Sequence, residues 1–268
     1  FAAEIDRRRR QCHGCFPEIG PDRFLLRERF LKTHLSAVDR FVAPSRFLRQ
    51  RYVDWGLPAG KIEVVANARP AQMPVPHRHT HGARNCFGYF GNLNPWKGVL
   101  PLLQAARLLR DESPDGFELR IHGGAPFQSE SFTSALDKAL AEAGAEVVHC
   151  GPYRRDEMPA LMAEVDWVVM PSIWYENAPL VIQEAFQHLR PVIASNIGGM
   201  AEMVRDDVDG LHARPGDPRH LAQVLRRAAS EDGLWRRLVD GIEPQSGMDA
   251  CAQAHLALFD QLKLAEAA

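Results

Sequence analysis

The sequence predicts a doubly wound α/β fold, a parallel sheet of about six strands with helices on both faces. Two observations predict it. From residue 86 onward, apolar runs of four to six residues alternate with helix-length segments at the spacing of βαβ units. The runs are also nearly all-apolar rather than alternating apolar and polar, as strands covered by helices on both faces must be.

In chain order, residues 1–20 are basic and irregular. Over 22–37 the apolar residues Phe24, Leu25, Phe30, Leu31 and Leu35 fall near helical spacing, so an amphipathic helix is expected. Two short strands follow at 39–43 and 62–66. The helix between them, 46–55, is ended by Gly56 and Pro58. Residues 70–84, PAQMPVPHRHTHGAR, hold three prolines and no apolar periodicity, which is linker composition. Strands are then expected at 86–91, 117–122, 146–150, 167–170, 191–195 and 210–213. Helices are expected at 98–111, 129–143, 155–164, 179–188 and 217–229. Residues 231–268 read as helical with a break at 241–247, and no internal repeat is visible. Sheets of this kind bind ligands at the carboxyl ends of their strands.

Composition removes several function classes. The chain has 268 residues, 46% hydrophobic and 25% charged, enough for one large domain or two smaller ones. Its 32 basic and 34 acidic residues give a net charge of −2, so no global attraction to nucleic acid is expected. No apolar run approaches the ~20 residues that cross a bilayer. The start, FAAEIDRRRRQ, is charged too early for a secretory leader. It begins with Phe rather than Met, so the chain is expected to be a section of a longer protein. The five cysteines at 12, 15, 86, 150 and 251 form no regular framework, which fits a reducing cytoplasm. Cys86 and Cys150 lie in apolar stretches that read as buried strands.

The chemistry-bearing stretches are two. In MPSIWYENAPLVIQEAF, residues 170–186, a strand ends, a loop follows and a helix begins. Asn177 is expected to cap that helix and Pro179 to sit in its first turn, where a missing N–H costs nothing. Ala178 completes the approach. The Leu180 and Val181 amides would face a phosphate, because a helix start carries free N–H groups and partial positive charge. Glu176 lies before the helix and Glu184 within it, with seven residues between. A carboxylate accepts two hydrogen bonds from neighbouring hydroxyls, so the pair suits a sugar nucleotide. In CFGYFGNLNPWKG, residues 86–98, Gly88 and Gly91 permit close backbone approach. Lys97 with Gly98 opens the next helix and offers a mobile charge for a diphosphate.

These stretches resemble the carboxyl-terminal domain of the family-four retaining glycosyltransferases, which adopt the GT-B fold built on Rossmann-like domains. The matching residues are VAPSRFL at 42–48, KIEVVANA at 61–68, YFGNLNPWKG at 89–98, LRIHGG at 119–124 and DWVVMPSIWYENAPLVIQEA at 166–185. RPVIASNIGGMAEMV at 190–204 and DGLHARPGDPRHLA at 209–222 complete the series, in matching order and spacing. The resemblance implies that Glu184 holds the ribose hydroxyls, Glu176 contacts the donor sugar, and Lys97 contacts the diphosphate and stabilises the leaving group. Lys97 and Glu176 are the catalytic candidates. The loop Gly151–Tyr153 would lie beside the base, with Gly91, Asn92, Asn177, Ala178, Leu180 and Val181 lining the rest of the nucleotide-sugar site. No nucleophile, metal or cofactor is implied, the leaving phosphate itself accepting the acceptor's proton. The acceptor, a glycan, a lipid-linked sugar or a small molecule, would sit on the amino-terminal domain. Residues 1–70 would then be the tail end of that domain, 71–84 a linker, 85–232 the donor domain, and 233–268 helices packing back. Three departures stand out: Asn92 where Arg is common, Asn67-Ala68-Arg69 where Asn-Gly is usual, and the absence of most of the amino-terminal domain.

Other readings stay beside this one. A nucleotide-sugar 2-epimerase shares the architecture, though the Glu spacing favours a transferase; a non-catalytic nucleotide-sugar sensor is the alternative from another class. Cys12-His13-Gly14-Cys15 is a lone pair without the second pair that zinc needs. His77, His79 and His81 read as solvated loop residues, and Gly198-Gly199 as a turn. Arg7–Arg10 reads as a solvated charge run, with contact to the inner face of a membrane as the alternative. Trp174 and Tyr175 either pack under the site or line a sugar pocket.

Overall fold

A computed structural model describes residues 13–77, 82–112 and 116–266. The chain opens with α1 (Pro21–Leu35), β1 (Phe41–Ala43), α2 (Arg46–Trp55) and β2 (Ile62–Val64). β1 and β2 pair in parallel as a small separate sheet. The αβ series follows as β3 (Cys86–Phe90), α3 (Val99–Glu112), β4 (Glu118–His122), α4 (Glu130–Glu142), β5 (Val147–Gly151), α5 (Met158–Ala163) and β6 (Trp167–Met170). It continues with α6 (Leu180–Gln187), β7 (Val192–Ser195), α7 (Gly198–Met203), β8 (Gly210–Ala213) and α8 (Pro218–Ser230), then α9 (Leu234–Asp240) and α10 (Met248–Glu266).

The six strands β3 to β8 are all parallel, in the order β5-β4-β3-β6-β7-β8. This is the doubly wound order, and its direction reverses between β3 and β6, where a crevice opens. Alternate strand residues feed two cores. Phe87, Tyr89, Leu119, Ile121, Trp167, Val169 and Ile193 face α3, α4, α8 and α9. Cys86, Phe90, Val168, Met170, Val192 and Ala194 face α5, α6 and α7. Burial on both faces explains the all-apolar strand sequences. Gly88 belongs to this packing, since a Cβ there would lie 2.7 Å from the Phe90 ring and 2.9 Å from Val165. Its role is to admit those side chains, not to bring backbone near a ligand.

Local chemistry sets most helix ends. The Ser45 side chain accepts from Leu48 N at the start of α2, and Gly56 ends it at φ 105°. Ser129 caps α4 and Asp217 caps α8, the latter with Pro218 in its first turn. Residues 198–199 are not a turn: they begin α7, with Gly198 at φ 64°. Glu202 on α7 then accepts from Arg46 N and Phe47 N at 3.0 and 2.7 Å, joining the start of α2 to the larger sheet. The amphipathic face expected of α1 is not covered, since none of its side chains is buried.

The proline-rich run also departs from expectation. His77 is half-buried, not solvated, with its side chain 8% exposed and its Nε2 2.9 Å from Asp166 Oδ1. Arg84 Nη1 reaches the same oxygen at 3.1 Å, and Cys86 N donates to Oδ2 at 3.0 Å. His79, His81, Cys12 and Arg7–Arg10 lie outside the described residues. Cys86 is buried but Cys150 is exposed, because β5 is an edge strand. Among the described residues, no group of three His, Cys, Asp or Glu is placed to hold a metal ion. No described helix is long and apolar enough to cross a membrane.

His122, at the end of β4, gives the fold an acid limit. It is 4% exposed, stacks on Phe90 at 4.8 Å, and its Nε2 has no hydrogen-bond partner among the described residues. Burial, with Arg120 nearby, pushes its pKa down to about 4. The unfolded chain takes up this proton near pH 6.5 and the folded chain only near 4, so stability is lost as pH falls through that window. Urea midpoints at pH 7, 5.5 and 4.5 check this. His122→Phe should flatten the decline, and an unchanged slope would assign it to other groups.

Candidate functional site

The loops that leave β3 and β6 meet at the crevice. After β3, the Asn94 side chain accepts from Trp96 N and Lys97 N, each at 3.0 Å, and folds 95–97 into one tight turn. Gly98 closes the turn at φ 73°, so Lys97 ends this turn and α3 begins only at Val99. A Cβ on Gly98 would lie 1.9 Å from Pro171 O, so the two loops touch through bare backbone. Ile173 N donates to Trp96 O at 2.9 Å and locks the loops together, with Ser172 Oγ also 2.9 Å from that oxygen. Lys97 Nζ consequently sits 2.6 Å from Glu176 Oε1, which also accepts from Ser172 Oγ at 3.0 Å.

α6 begins differently from the expectation. Pro179 occupies the cap position, and no side chain caps the helix, so Asn177 does not. The Asn177 carbonyl instead lies against α7, 1.9 Å from where a Gly199 Cβ would stand, and Gly199 N donates to Glu176 O at 2.6 Å. Asn177 is exposed and Ala178 half-buried. Ile182 N already donates to Pro179 O, leaving Leu180 and Val181 as the first amides of the helix without a hydrogen-bond partner among the described residues.

A cavity of about 390 Å³ lies over this helix start. Gly91, Asn92, Tyr153, Leu180 and Glu184 line it, as do Gly123, Gly124, Arg69 and Arg155. Lys97, Glu176, Asn177, Ala178, Val181 and Gly151 are not among its walls. Of these, Gly151 is one step away, its carbonyl accepting from Gly123 N at 2.8 Å. Val181 packs against the second core. Trp174 and Tyr175 do not pack under the site: both are more than half exposed, Trp174 5.2 Å from the Trp96 ring and Tyr175 stacked on Phe47 at 5.4 Å.

Glu184 is 7% exposed and paired with Arg69, Nη2 to Oε1 at 2.7 Å. Burial raises its pKa, and Arg69 and Arg155 pull it back down. Burial also pushes the Tyr153 hydroxyl up to about 12, with Glu184 adding to the rise and Arg69 opposing it. Sequence reasoning did not find Arg69, Arg155 or Ser172. Arg69 left a trace as a departure from Asn-Gly, but nothing local revealed its partner.

The geometry is thus a cavity at the strand-order reversal, walled by the Glu184 carboxylate and the start of α6, with the paired Lys97 and Glu176 held outside its walls by the same two loops. Residues 84–231 match the family model described as "Glycosyl transferases group 1". The chain belongs to this family. Among relatives of this group 1 glycosyl transferase chain is the D-inositol 3-phosphate glycosyltransferase of Salinispora arenicola. It is 30% identical over 158 residues, covering 57% of this chain and 35% of the relative. The lipopolysaccharide 1,2-N-acetylglucosaminetransferase of Salmonella typhimurium is 29% identical over 207 residues, covering 72% and 53%. The chain therefore spans about a third to a half of these two relatives. Solved structures share the fold at low identity. Anabaena HepE, in complex with UDP and glucose, superposes with a TM-score of 0.75 at 20% identity, covering 87% of this chain and 67% of HepE. Sucrose-phosphate synthase of Thermosynechococcus elongatus gives 0.76 at 23%, covering 90% and 62%. The six-stranded sheet is accordingly of the Rossmann-like type found in GT-B glycosyltransferases.

Proposed function

We propose that this chain is the donor-binding half of a family-four glycosyltransferase that moves a sugar from a nucleotide sugar with retention of anomeric configuration. The observation that carries the reading is a cavity walled by Glu184 and the start of α6, at the crevice where the loops after β3 and β6 also pair Lys97 with Glu176. In this reading Glu184 takes the ribose hydroxyls and Glu176 a hydroxyl of the donor sugar. Lys97 and the Leu180 and Val181 amides hold the diphosphate. Gly91 and Asn92 line the phosphate end, Asn177 and Ala178 the approach to α6, and Gly151 and Tyr153 the base. HepE, whose structure holds UDP and glucose, lends support to this ligand pair.

Lys97 and Glu176 are matched in the free protein, so the donor must divide them. A phosphate oxygen draws the ammonium, and the carboxylate is released to the sugar. In the transfer step the bond from the sugar's anomeric carbon to the diphosphate breaks, and a bond to the acceptor oxygen forms on the same face. The acceptor's proton passes to the departing phosphate oxygen. Charge grows on the diphosphate as it leaves, so Lys97 and the helix start act as preorganised electrostatic stabilisers. Residues 85–232 are the donor domain in this reading and 1–70 the tail of an acceptor domain joined by 71–84. Residues 233–268 return toward it, in keeping with the parallel bridge between Arg69 and Gly247. The acceptor, a glycan, a lipid-linked sugar or a small molecule, binds the rest of that domain.

The test is a melting screen of the chain with uridine, guanosine, adenosine and thymidine diphosphates, followed by titration of the best ligand. A ligand at 100 times its dissociation constant adds about 2.7 kcal/mol of stability. Absence of a shift with all four would end the reading. Lys97→Ala should weaken diphosphate binding about 10- to 100-fold, the worth of a charge-assisted contact, and leave the parent nucleoside almost unaffected. Equal loss across nucleoside, monophosphate and diphosphate would make Lys97 structural.

A further inference from the structure

Arg69 stands between the small sheet and the large one, just before a run whose composition reads as linker, yet it is 7% exposed and walls the cavity together with Glu184. Its backbone is fixed from several sides. Gly247 bridges it in parallel, Gln183 Nε2 donates to Asn67 O at 2.6 Å, and Gln187 Nε2 donates to Pro70 O at 3.1 Å. Two of these anchors come from α6, the helix that carries Glu184. The guanidinium is therefore built into the wall and not a surface side chain resting on a carboxylate. Such a carboxylate has two fates. Without a cation, burial favours the protonated acid, which donates one hydrogen and no longer accepts from two hydroxyls.

We propose that Arg69 is a positioning residue of the nucleotide site, keeping the buried Glu184 carboxylate ionised and directed into the cavity so that it can accept both hydroxyls of a vicinal diol. The inference rests on the reading of Glu184 as the ribose ligand. Three groups act on Glu184, Arg69 from the joining run, Arg155 from the turn before α5 and Tyr153 from the loop after β5, and His188, just past the end of α6, lies within reach of Arg69. Without Arg69, Arg155 is the remaining cation acting on it, and Glu184 would take up a proton at a higher pH. The opposite role for Arg69, a plug that competes with the ligand for Glu184, predicts the reverse behaviour.

The experiment measures how strongly the 268-residue chain prefers uridine, guanosine and adenosine diphosphates over their 2′-deoxy forms between pH 6 and 9. The unchanged chain should prefer the ribose form of its ligand at least tenfold across the range. Arg69→Met should lose progressively more of that preference as the pH falls and regain it as the pH rises, while Arg69→Lys keeps it throughout. Glu184→Gln should abolish it at every pH. The double variant Arg69→Met with Glu184→Gln, which leaves no unpaired buried charge and so guards against misfolding, should behave as Glu184→Gln does. Arg69→Met that binds more tightly, or keeps the full preference at pH 6, overturns the positioning role alone. A chain that binds none of the diphosphates, or keeps its preference in Glu184→Gln, overturns the site reading and this inference with it.

Discussion

Replacing Asp166 by Ala should lower the stability of the chain by about 3–5 kcal/mol, because it breaks a buried ionic cluster from its acidic side. The carboxylate is 2% exposed and serves three partners, His77, Arg84 and the Cys86 amide. Burial alone would raise its pKa. The His77, Cys86 and Arg84 hydrogen bonds outweigh burial and hold it below the ordinary carboxylate range. Its stabilisation is thus present above about pH 4 and lost as pH falls further. Asp166→Ala strips the Cys86 N–H of its acceptor at the edge of β3 and leaves Arg84 without this counter-charge. For a chain of this size, a loss of that order lowers the melting temperature by about 10 °C. Asp166→Asn, which keeps an acceptor for Cys86 N, should lose less. Urea unfolding at pH 7 measures both, and a loss under 1 kcal/mol for Asp166→Ala would assign the cluster a minor role.

Gly98→Ala should damage fold and site together. The residue sits at φ 73°, where a side chain costs about 1–2 kcal/mol. The added Cβ would also stand 1.9 Å from Pro171 O, a backbone atom that cannot swing aside. Overpacking of this kind costs a further 1–3 kcal/mol or so. The loops must separate, and their separation moves Lys97 away from Glu176. Diphosphate affinity should fall along with stability. Gly60→Ala is the control, since it has neither a positive φ nor any atom within 4 Å of the added carbon. Similar small effects of the two substitutions would mean that the loops yield without cost.

Periodicity reaches this fold well where burial is two-sided. Phe87 and Tyr89 face one core and Cys86 and Phe90 the other, so the whole strand had to be apolar and was recognisable as such. Helix ends were legible where one side chain sets them, as at Ser45 and Asp217. The errors come from what sequence spacing does not encode. Strand order decides that β5 is an edge, and hence that Cys150 is exposed. The Gly198-Gly199 pair has poor helix propensity, yet it begins α7, where a Cβ on Gly199 would stand 1.9 Å from the Asn177 carbonyl oxygen. Asn177 in turn is held by that contact and so does not cap α6. The site was legible in part. Lys97, Glu176 and Glu184 could be chosen from two short stretches, but the partners that fix His77 and Arg69 lie far along the chain. Only the folded arrangement brings Asp166 and Glu184 to them.

The pairing of charges in the resting crevice also bears on how quickly it fills. Lys97 is met by Glu176 at 2.6 Å and Arg69 by Glu184 at 2.7 Å. From beyond a Debye length, about 8 Å in physiological salt, each couple is felt as a dipole whose field dies away faster than that of a lone charge. An approaching dianion is therefore drawn little by these four residues until it arrives, and their attraction acts at contact. In the proposed reading, discrimination among diphosphates then belongs mainly to how long a ligand stays rather than to how fast it comes.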